Sequence, residues 1–133
     1  MLALGLSQYA ESQGIGIQGV DLFVRLMPDS PDNAICIYDE PGIVTSEMHS
    51  YDADSFGSHW MIRGTYAFAS QKALEIHRSI AGLHGELDGI HILDTHIQTP
   101  PAFVENDARG RTIYSIHYIH DCNIGQNEHR TAI

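Results

Sequence analysis

The sequence has 133 residues, with 7 Lys and Arg against 17 Asp and Glu, and a net charge of −10 at pH 7. Hydrophobic residues make up 43% and charged residues 18%, which is typical of a single globular domain, predicted here over residues 1–133. The Lys and Arg residues form no basic cluster, and this argues against nucleic-acid binding through a basic face.

The chain opens with a predicted helix over residues 2–13, where Leu2, Leu6 and Tyr9 recur at helical spacing. Residues 14–19 (GIGIQG) match the dinucleotide-binding pattern G-x-G-x-x-G. That pattern binds a pyrophosphate only when it follows a strand and begins a helix, and here the order is reversed. The glycines therefore predict a helix end and a turn.

Two strands follow the glycines. Residues 20–27 (VDLFVRLM) and 34–38 (AICIY) have the β-branched and aromatic content of strands. The segment between them, residues 28–33 (PDSPDN), is dense in turn-forming residues. The spacing predicts an antiparallel hairpin with a six-residue connection.

A long acidic loop is predicted over residues 39–57, followed by a third strand over residues 59–63 that ends at Gly64. Loops of this length in a compact domain are usually functional or disordered. We therefore expect this loop, together with residues 99–111, to become ordered against neighbouring subunits or partner proteins.

The clearest periodicity in the sequence predicts a helix over residues 65–83. Six apolar side chains recur at alternating separations of three and four and form one stripe: Tyr66, Ala69, Ala73, Ile76, Ile80 and Leu83. The stripe is expected to pack on a sheet while the polar residues between its members face water.

Two further strands are predicted, over residues 89–97 and 112–122, joined by a polar connection that contains Pro100 and Pro101. The order is then helix, three strands, helix and two strands. It predicts an α+β fold in which two helices pack on one face of an antiparallel sheet of about five strands.

Neither a membrane span nor an export signal is predicted. No apolar run approaches the ~18–20 residues that cross a bilayer, and residues 1–6 (MLALGL) lack the basic start of a signal peptide. The protein is expected to be soluble and intracellular. Cys36 and Cys122 are expected to be reduced thiols buried within strands.

Nine histidines raise the hypothesis of a metal site. The pairs considered are His117 with His120, His91 with His96, and His77 with His84. Residues an odd number apart on a strand point to opposite faces, which excludes the first two pairs unless a bulge intervenes. The third pair shares a helix face but lies about 10 Å apart.

The sequence also lacks a complete calcium-binding loop and a hydrolase nucleophile motif. Residues 52–54 (DAD) begin like a calcium loop, but its twelfth position would be Arg63 instead of the required Glu. The G-x-S-x-G pattern of a hydrolase nucleophile is absent from the sequence. The sequence therefore predicts no catalytic, cofactor-binding or metal-ligating residue and no cofactor.

Several turn and strand segments nevertheless resemble a family of small tailed-phage proteins known as minor capsid or tail terminator proteins. In the first half they are residues 19–24 (GVDLFV), 27–33 (MPDSPDN), 35–39 (ICIYD) and Gly42. In the second half they are Arg63-Gly64, residues 98–103 (QTPPAF) and residues 107–111 (DARGR). The resemblance covers nearly the whole chain.

The resemblance implies a structural virion protein with the tail-terminator fold and no enzymatic activity. Such a protein forms a six-membered ring that caps the head-proximal end of a long tail tube. It implies contacts with further copies of itself, with the tail tube protein and with the head-tail connector, and none with membranes. DNA would pass through the lumen without specific binding, and the subunit would be in the host cytoplasm during assembly.

Two alternatives stay open at this point. The first keeps the protein in the virion but places it on the head side, as a connector or minor capsid component. The second is a small metal-binding or ligand-binding enzyme. The acidic residues and histidines are the side chains that such an enzyme needs, but their spacing in the sequence matches no catalytic or metal-binding motif.

Overall fold

The computed structural model describes residues 2–41 and 53–123 as two helices and one six-stranded sheet. In chain order the elements are α1 (Ala3–Ser12), β1 (Leu22–Val24), β2 (Ala34–Pro41), β3 (Ala53–Gly64), α2 (Tyr66–Ile80), β4 (Gly85–Leu87), β5 (Ile90–Asn106) and β6 (Thr112–Asn123). The predicted α+β class is confirmed. No helix in these two ranges is long and apolar enough to cross a membrane.

The strands lie in the order β1-β2-β3-β6-β5-β4. Neighbouring strands run antiparallel except β1 and β2, which are parallel, with Leu22 beside Ile35. The predicted sheet of about five antiparallel strands is therefore wrong in the strand count and in one pairing. The described sheet is mixed and has six strands.

The predicted hairpin between residues 20–27 and 34–38 is wrong for a physical reason. Residues 25–33 carry the chain back to the beginning of β1 before β2 starts, and the Ile35 N–H donates to the Asp21 carbonyl at 2.8 Å. Proline and Asx signals predict that a chain turns, but they do not specify how far it travels before the next strand.

Helix α2 packs with the middle of the predicted stripe toward the sheet, whereas Tyr66 at its start is 65% exposed, which corrects the prediction for that residue. The Thr65 hydroxyl caps its start by accepting from the Phe68 N–H at 3.1 Å. The stripe residues in the middle of the helix are fully buried: Ala69, Ala73, Ile76 and Ile80. The helix ends at Ile80, three residues before the predicted end, and Gly82 follows it with a positive φ of 78°.

Helix α1 lies on the same face of the sheet, since its buried residues Leu6 and Ala10 belong to one hydrophobic core with Ile76 and Ile80 of α2. It contacts β1 and β2 at one edge of the sheet and β4 at the other. A sheet whose two edges contact the same helix must curl around that helix. The predicted placement of both helices on one face is confirmed.

The strands are longer than predicted, so both predicted loops shrink. Residues 39–41 and 53–57 belong to β2 and β3, which corrects the loop predicted over 39–57, and its remainder, residues 42–52, lies outside the described residues. Strand β5 continues through Pro100 and Pro101 and leaves a turn of only five residues, 107–111.

The prolines are tolerated in β5 because this strand is at the edge of the sheet beyond β4. Within residues 2–41 and 53–123, strand β4 pairs with Ile90–Ile92 and no strand pairs with the outer side of β5 beyond them, so a proline there interrupts no ladder hydrogen bond on that side. Register shifts at four places, two of them flanking Thr99, adjust β5 to β6 along its length. Turn-rich composition therefore marks an irregular edge strand here, whereas we predicted a loop.

Candidate functional site

Three of the segments that carry the family resemblance meet at one end of the sheet. We call the group of residues 29–33, 63–65 and 107–111 the turn cluster. The Arg63 guanidinium donates to the Pro31 carbonyl at 2.6 Å and to the Asp32 carbonyl at 3.2 Å. Beside it, the Thr65 N–H donates to the Asn33 amide oxygen at 3.2 Å. The cluster thus fixes residues 25–33, the return loop between β1 and β2, onto the end of β3.

Gly64 is required at this junction by close approach. A Cβ on Gly64 would overlap the Asn33 side-chain oxygen and stand 2.8 Å from the Phe68 ring. Arg63 and Gly64 thus have separate structural roles. Arg63 binds the carbonyls of Pro31 and Asp32, and Gly64 leaves space for the Asn33 side chain.

Arg111 supplies the electrostatic centre of the turn cluster. Its side chain, only 11% exposed, donates to Asp107 Oδ2 at 2.8 Å, to the Asp29 carbonyl at 2.7 Å and to Asp32 Oδ1 at 3.2 Å. Partial burial acts to raise the pKa of Asp107, but the hydrogen bonds from Arg111 and the Arg109 N–H outweigh it and lower this pKa. The arginine and its carboxylates satisfy one another, so the turn cluster stabilises the fold.

Replacing Arg111 with lysine is expected to lower the melting temperature, because an ammonium group cannot reproduce the fork of bonds to Asp107 and Asp29. Arg78→Lys is the matched control, since Arg78 is exposed on α2 and makes no ion pair with any described residue. Thermal denaturation of both variants is the measurement. Equal melting temperatures would contradict the structural role of Arg111.

An exposed aromatic group lies along the same region of the sheet. The Tyr114 ring contacts Tyr66 and Phe103, with ring centroids 6.3 Å and 6.2 Å away. Tyr66 is 65% exposed and Phe103 53% exposed, which is high for large apolar side chains. Such a group on a protein surface marks a contact site more often than isolated apolar residues do.

The inner face of the sheet contains a buried chain of hydrogen bonds that sequence reasoning missed. His120 is fully buried, with Nε2 at 2.8 Å from the Ser58 hydroxyl and Nδ1 at 2.9 Å from the Thr95 hydroxyl. The Trp60 indole N–H donates to Ser58 Oγ at 3.1 Å. Burial, with a smaller effect of the His96 charge, lowers the pKa of His120 to about 4.

The outer face, opposite α1 and α2, brings three ligand-type side chains together. His59 of β3 is paired with His117 of β6, and their rings are stacked with centroids 4.1 Å apart and planes at 11°. The Glu40 carboxylate of β2 lies 2.9 Å from His117 Nδ1 and 3.9 Å from His59 Nδ1. Burial and the neighbouring His117 lower the pKa of His59, so its imidazole is neutral at pH 7.

The structure places the predicted histidine pairs as follows. His117 and His120 point to opposite faces, as predicted. The opposite-face argument is wrong for His91 and His96, because a register shift after Ile92 turns both toward the outer face. They pair with β6 positions four residues apart, about 13 Å, and so stay separate.

The third pair is also corrected, since α2 ends at Ile80 and His84 lies beyond it. The expectation of no metal ligands considered only residues on the same strand or helix. Pairing between strands brings His59 and His117 together, and their separation of 58 positions in the sequence contains no signal of this contact.

Several other predictions about sites are confirmed. Residues 14–19 leave α1 through Gly14, with a φ of 77°, and lead into β1, so they form a helix end and turn. Cys36 and Cys122 are free thiols buried in β2 and β6. Burial raises the pKa of the Cys122 thiol to about 12, which keeps it protonated.

The fold is a small α+β protein with a curled mixed sheet and two helices on one face. The polar groups of its turn cluster bond to one another and stabilise this fold. The chain belongs to the bacteriophage tail terminator protein family, whose model matches residues 9–124. The resemblance seen in the sequence is thereby confirmed. The protein is a structural component of the phage tail and thus of the virion.

A comparison with solved structures agrees with the fold. One of them aligns with a TM-score of 0.56 over 93% of this chain and 92% of that chain, at 13% sequence identity. At this identity the likeness shows the fold alone. The search of curated proteins finds no match.

Proposed function

We propose that this protein forms a homohexameric ring that caps the head-proximal end of a long phage tail tube and joins it to the head connector. The observation that carries the proposal is the family match over residues 9–124. The ring contacts its own copies laterally, the tail tube protein on one side and the head-tail connector protein on the other. During assembly the subunit is in the host cytoplasm, and it has no membrane partner.

The free outer edge of β5 supports the lateral contact. Past Ile92, β5 is paired with β6 on one side only. Apart from the Thr95 carbonyl, which accepts from the Gly82 N–H at 3.2 Å, its outer backbone groups as far as Asn106 have no strand partner among the described residues. Four apolar side chains on this segment are about half exposed: Leu93, Ile97, Phe103 and Val104. An unpaired edge with apolar side chains is a ready site for another chain.

A ring also needs a second, different patch on each subunit, because its contacts are head-to-tail. The opposite edge of the sheet is β1, and it is flanked by Val20 and Leu26, which are 57% and 74% exposed. We assign the β5 edge of one subunit to contact this β1 region of the next. With a net charge of −10 on each subunit, ring closure should be favoured by salt.

The distribution of cations supports free passage of DNA through the lumen. Of the six Lys and Arg residues in the described part of the chain, five contact carboxylates or backbone carbonyls: Arg25, Arg63, Lys72, Arg109 and Arg111. Cations engaged in this way are poorly placed to grip phosphates, and the surrounding negative charge repels DNA.

Replacing Val104 with aspartate is expected to weaken incorporation into tails at least about tenfold, because a charge would enter an apolar contact. The variant should fold normally, since Val104 is 52% exposed. Leu74→Asp, at a 46% exposed position on α2, is the control. The measurement is the number of labelled subunits per particle in a complementation experiment. Full incorporation of the Val104 variant would contradict the role of the β5 edge.

Imaging of the labelled subunit in the assembled particle tests the proposal as a whole. Six copies around the tail axis, between tube and connector, are expected. A single copy, or a two-fold dimer away from the axis, would contradict the ring. A label inside the head-side connector would instead support the alternative of a connector component. The particle is the sample of choice because the tube tip can act as the template for ring closure.

A further inference from the structure

We propose that Glu40, His59 and His117 bind one divalent metal ion of the zinc class on the outer face of the sheet. The three residues come from the adjacent strands β2, β3 and β6. This proposal replaces the expectation of no metal, which considered only histidines within one strand or helix. It does not depend on ring formation.

The distances suit such an ion. One ligand atom from each of the three side chains lies within 4.8 Å of the other two. Around a tetrahedral zinc with ligand bonds of about 2.0–2.2 Å, pairs of ligand atoms are about 3.3–3.5 Å apart. The lone pair of each Nδ1 lies in the plane of its ring, so the two stacked imidazoles must tilt apart by side-chain rotation before both can reach one ion. The Nδ1 atoms of both histidines face the same carboxylate.

Gly57 makes this convergence possible. It lies on β3 between Glu40 of β2 and Ile119 of β6. A Cβ at Gly57 would stand 3.1 Å from Glu40 Cβ, so a side chain there would compete with the glutamate for the surface of β3. With glycine at this position, the Glu40 side chain crosses β3 and reaches His117 on the far strand.

The surroundings also suit a bound ion. His117 Nε2 lies 3.3 Å from the Ser115 hydroxyl, the type of contact that orients a ligating imidazole. The side chains of His59, His117 and Glu40 are 21%, 25% and 32% exposed, which lets an ion enter and leaves a coordination position for water. Two imidazoles and one carboxylate favour zinc and related transition metals over Mg²⁺ and Ca²⁺, which prefer oxygen ligands alone.

The test is metal binding by the purified full-length protein after removal of metals with a chelator. Titration calorimetry with zinc chloride should show one ion per chain, and zinc should raise the melting temperature. Cobalt(II) should give the intense visible absorption of a four-coordinate site. His59→Gln, His117→Gln and the nearly isosteric Glu40→Gln should each lower zinc affinity at least about tenfold.

His96→Gln is the matched control. His96 lies on the same face and contacts Asp121 at 2.7 Å and Asp94 at 3.6 Å, but its side chain is 53% exposed. Zinc affinity should be unchanged in this variant. Absence of zinc binding by the wild-type protein would overturn the proposal. So would binding that survives in a correctly folded Glu40→Gln or His117→Gln variant, or binding that only His96→Gln removes.

Discussion

Replacing Ile80 with aspartate is expected to remove most of the stability of this protein. Ile80 is fully buried where α2 packs on the sheet. Loss of the burial of one such side chain costs about 1.5–3 kcal/mol, and an unpaired charge in the same place adds several kcal/mol. The total is a large share of the ~5–15 kcal/mol that stabilises a typical domain.

Urea unfolding followed by circular dichroism measures this loss. Leu74→Asp is the matched control, because it places the same charge on the same helix at a position that is 46% exposed. Its effect should stay within about 0.5 kcal/mol. Similar unfolding midpoints for the two variants would contradict the packing of the α2 stripe on the sheet.

Mild acid is expected to destabilise the protein through His120. Its pKa is about 4 in the folded protein, against an ordinary value of 6.5 for histidine, so between these values the unfolded chain binds a proton that the folded protein does not. The stabilising effect of a neutral His120 is fully present above about pH 6.5 and is lost as the pH falls toward 4. The loss reaches about 3 kcal/mol at the acidic end of this window.

His120→Gln isolates this effect, since glutamine keeps hydrogen-bonding groups near Ser58 and Thr95 but does not titrate. The free energy of unfolding should fall between pH 7 and pH 5 by less in this variant than in the wild-type protein. His91→Gln, at an exposed position, should retain the wild-type dependence. Chelator in all samples removes any contribution of bound metal. An unchanged pH dependence in His120→Gln would show that His120 is not the titrating group.

The features that follow local rules could be predicted from the sequence. The stripe of α2 and the alternation in β6 report burial directly, since each depends on which side of one element faces the core. The end of α1 at Gly14 follows from a positive φ that glycine accepts without strain. These signals were enough for the α+β class and for both helices on one face.

The predictions that the structure corrects mainly concern contacts between residues far apart in the sequence. The parallel pairing of β1 with β2 depends on bonds that Arg63 and Arg111 make to the return loop, and both arginines follow that loop by 30 residues or more. The approach of His59 to His117 depends on strand register, which spacing within one strand cannot reveal. Extension of β5 through two prolines depends on its edge position, and this is a property of the whole sheet.

The contact of α1 with both edges of the sheet sets the order in which the chain can fold. Gly5 of α1 packs against Leu87 and Asp88 beside β4, so close that an added Cβ would lie 3.1–3.2 Å from their side chains. Synthesis reaches α1 before Leu87 and Asp88, which follow Gly5 by about 80 positions. Until then α1 can contact β1 and β2 but not β4. The packing of α1 is therefore complete only after β4 has been synthesised.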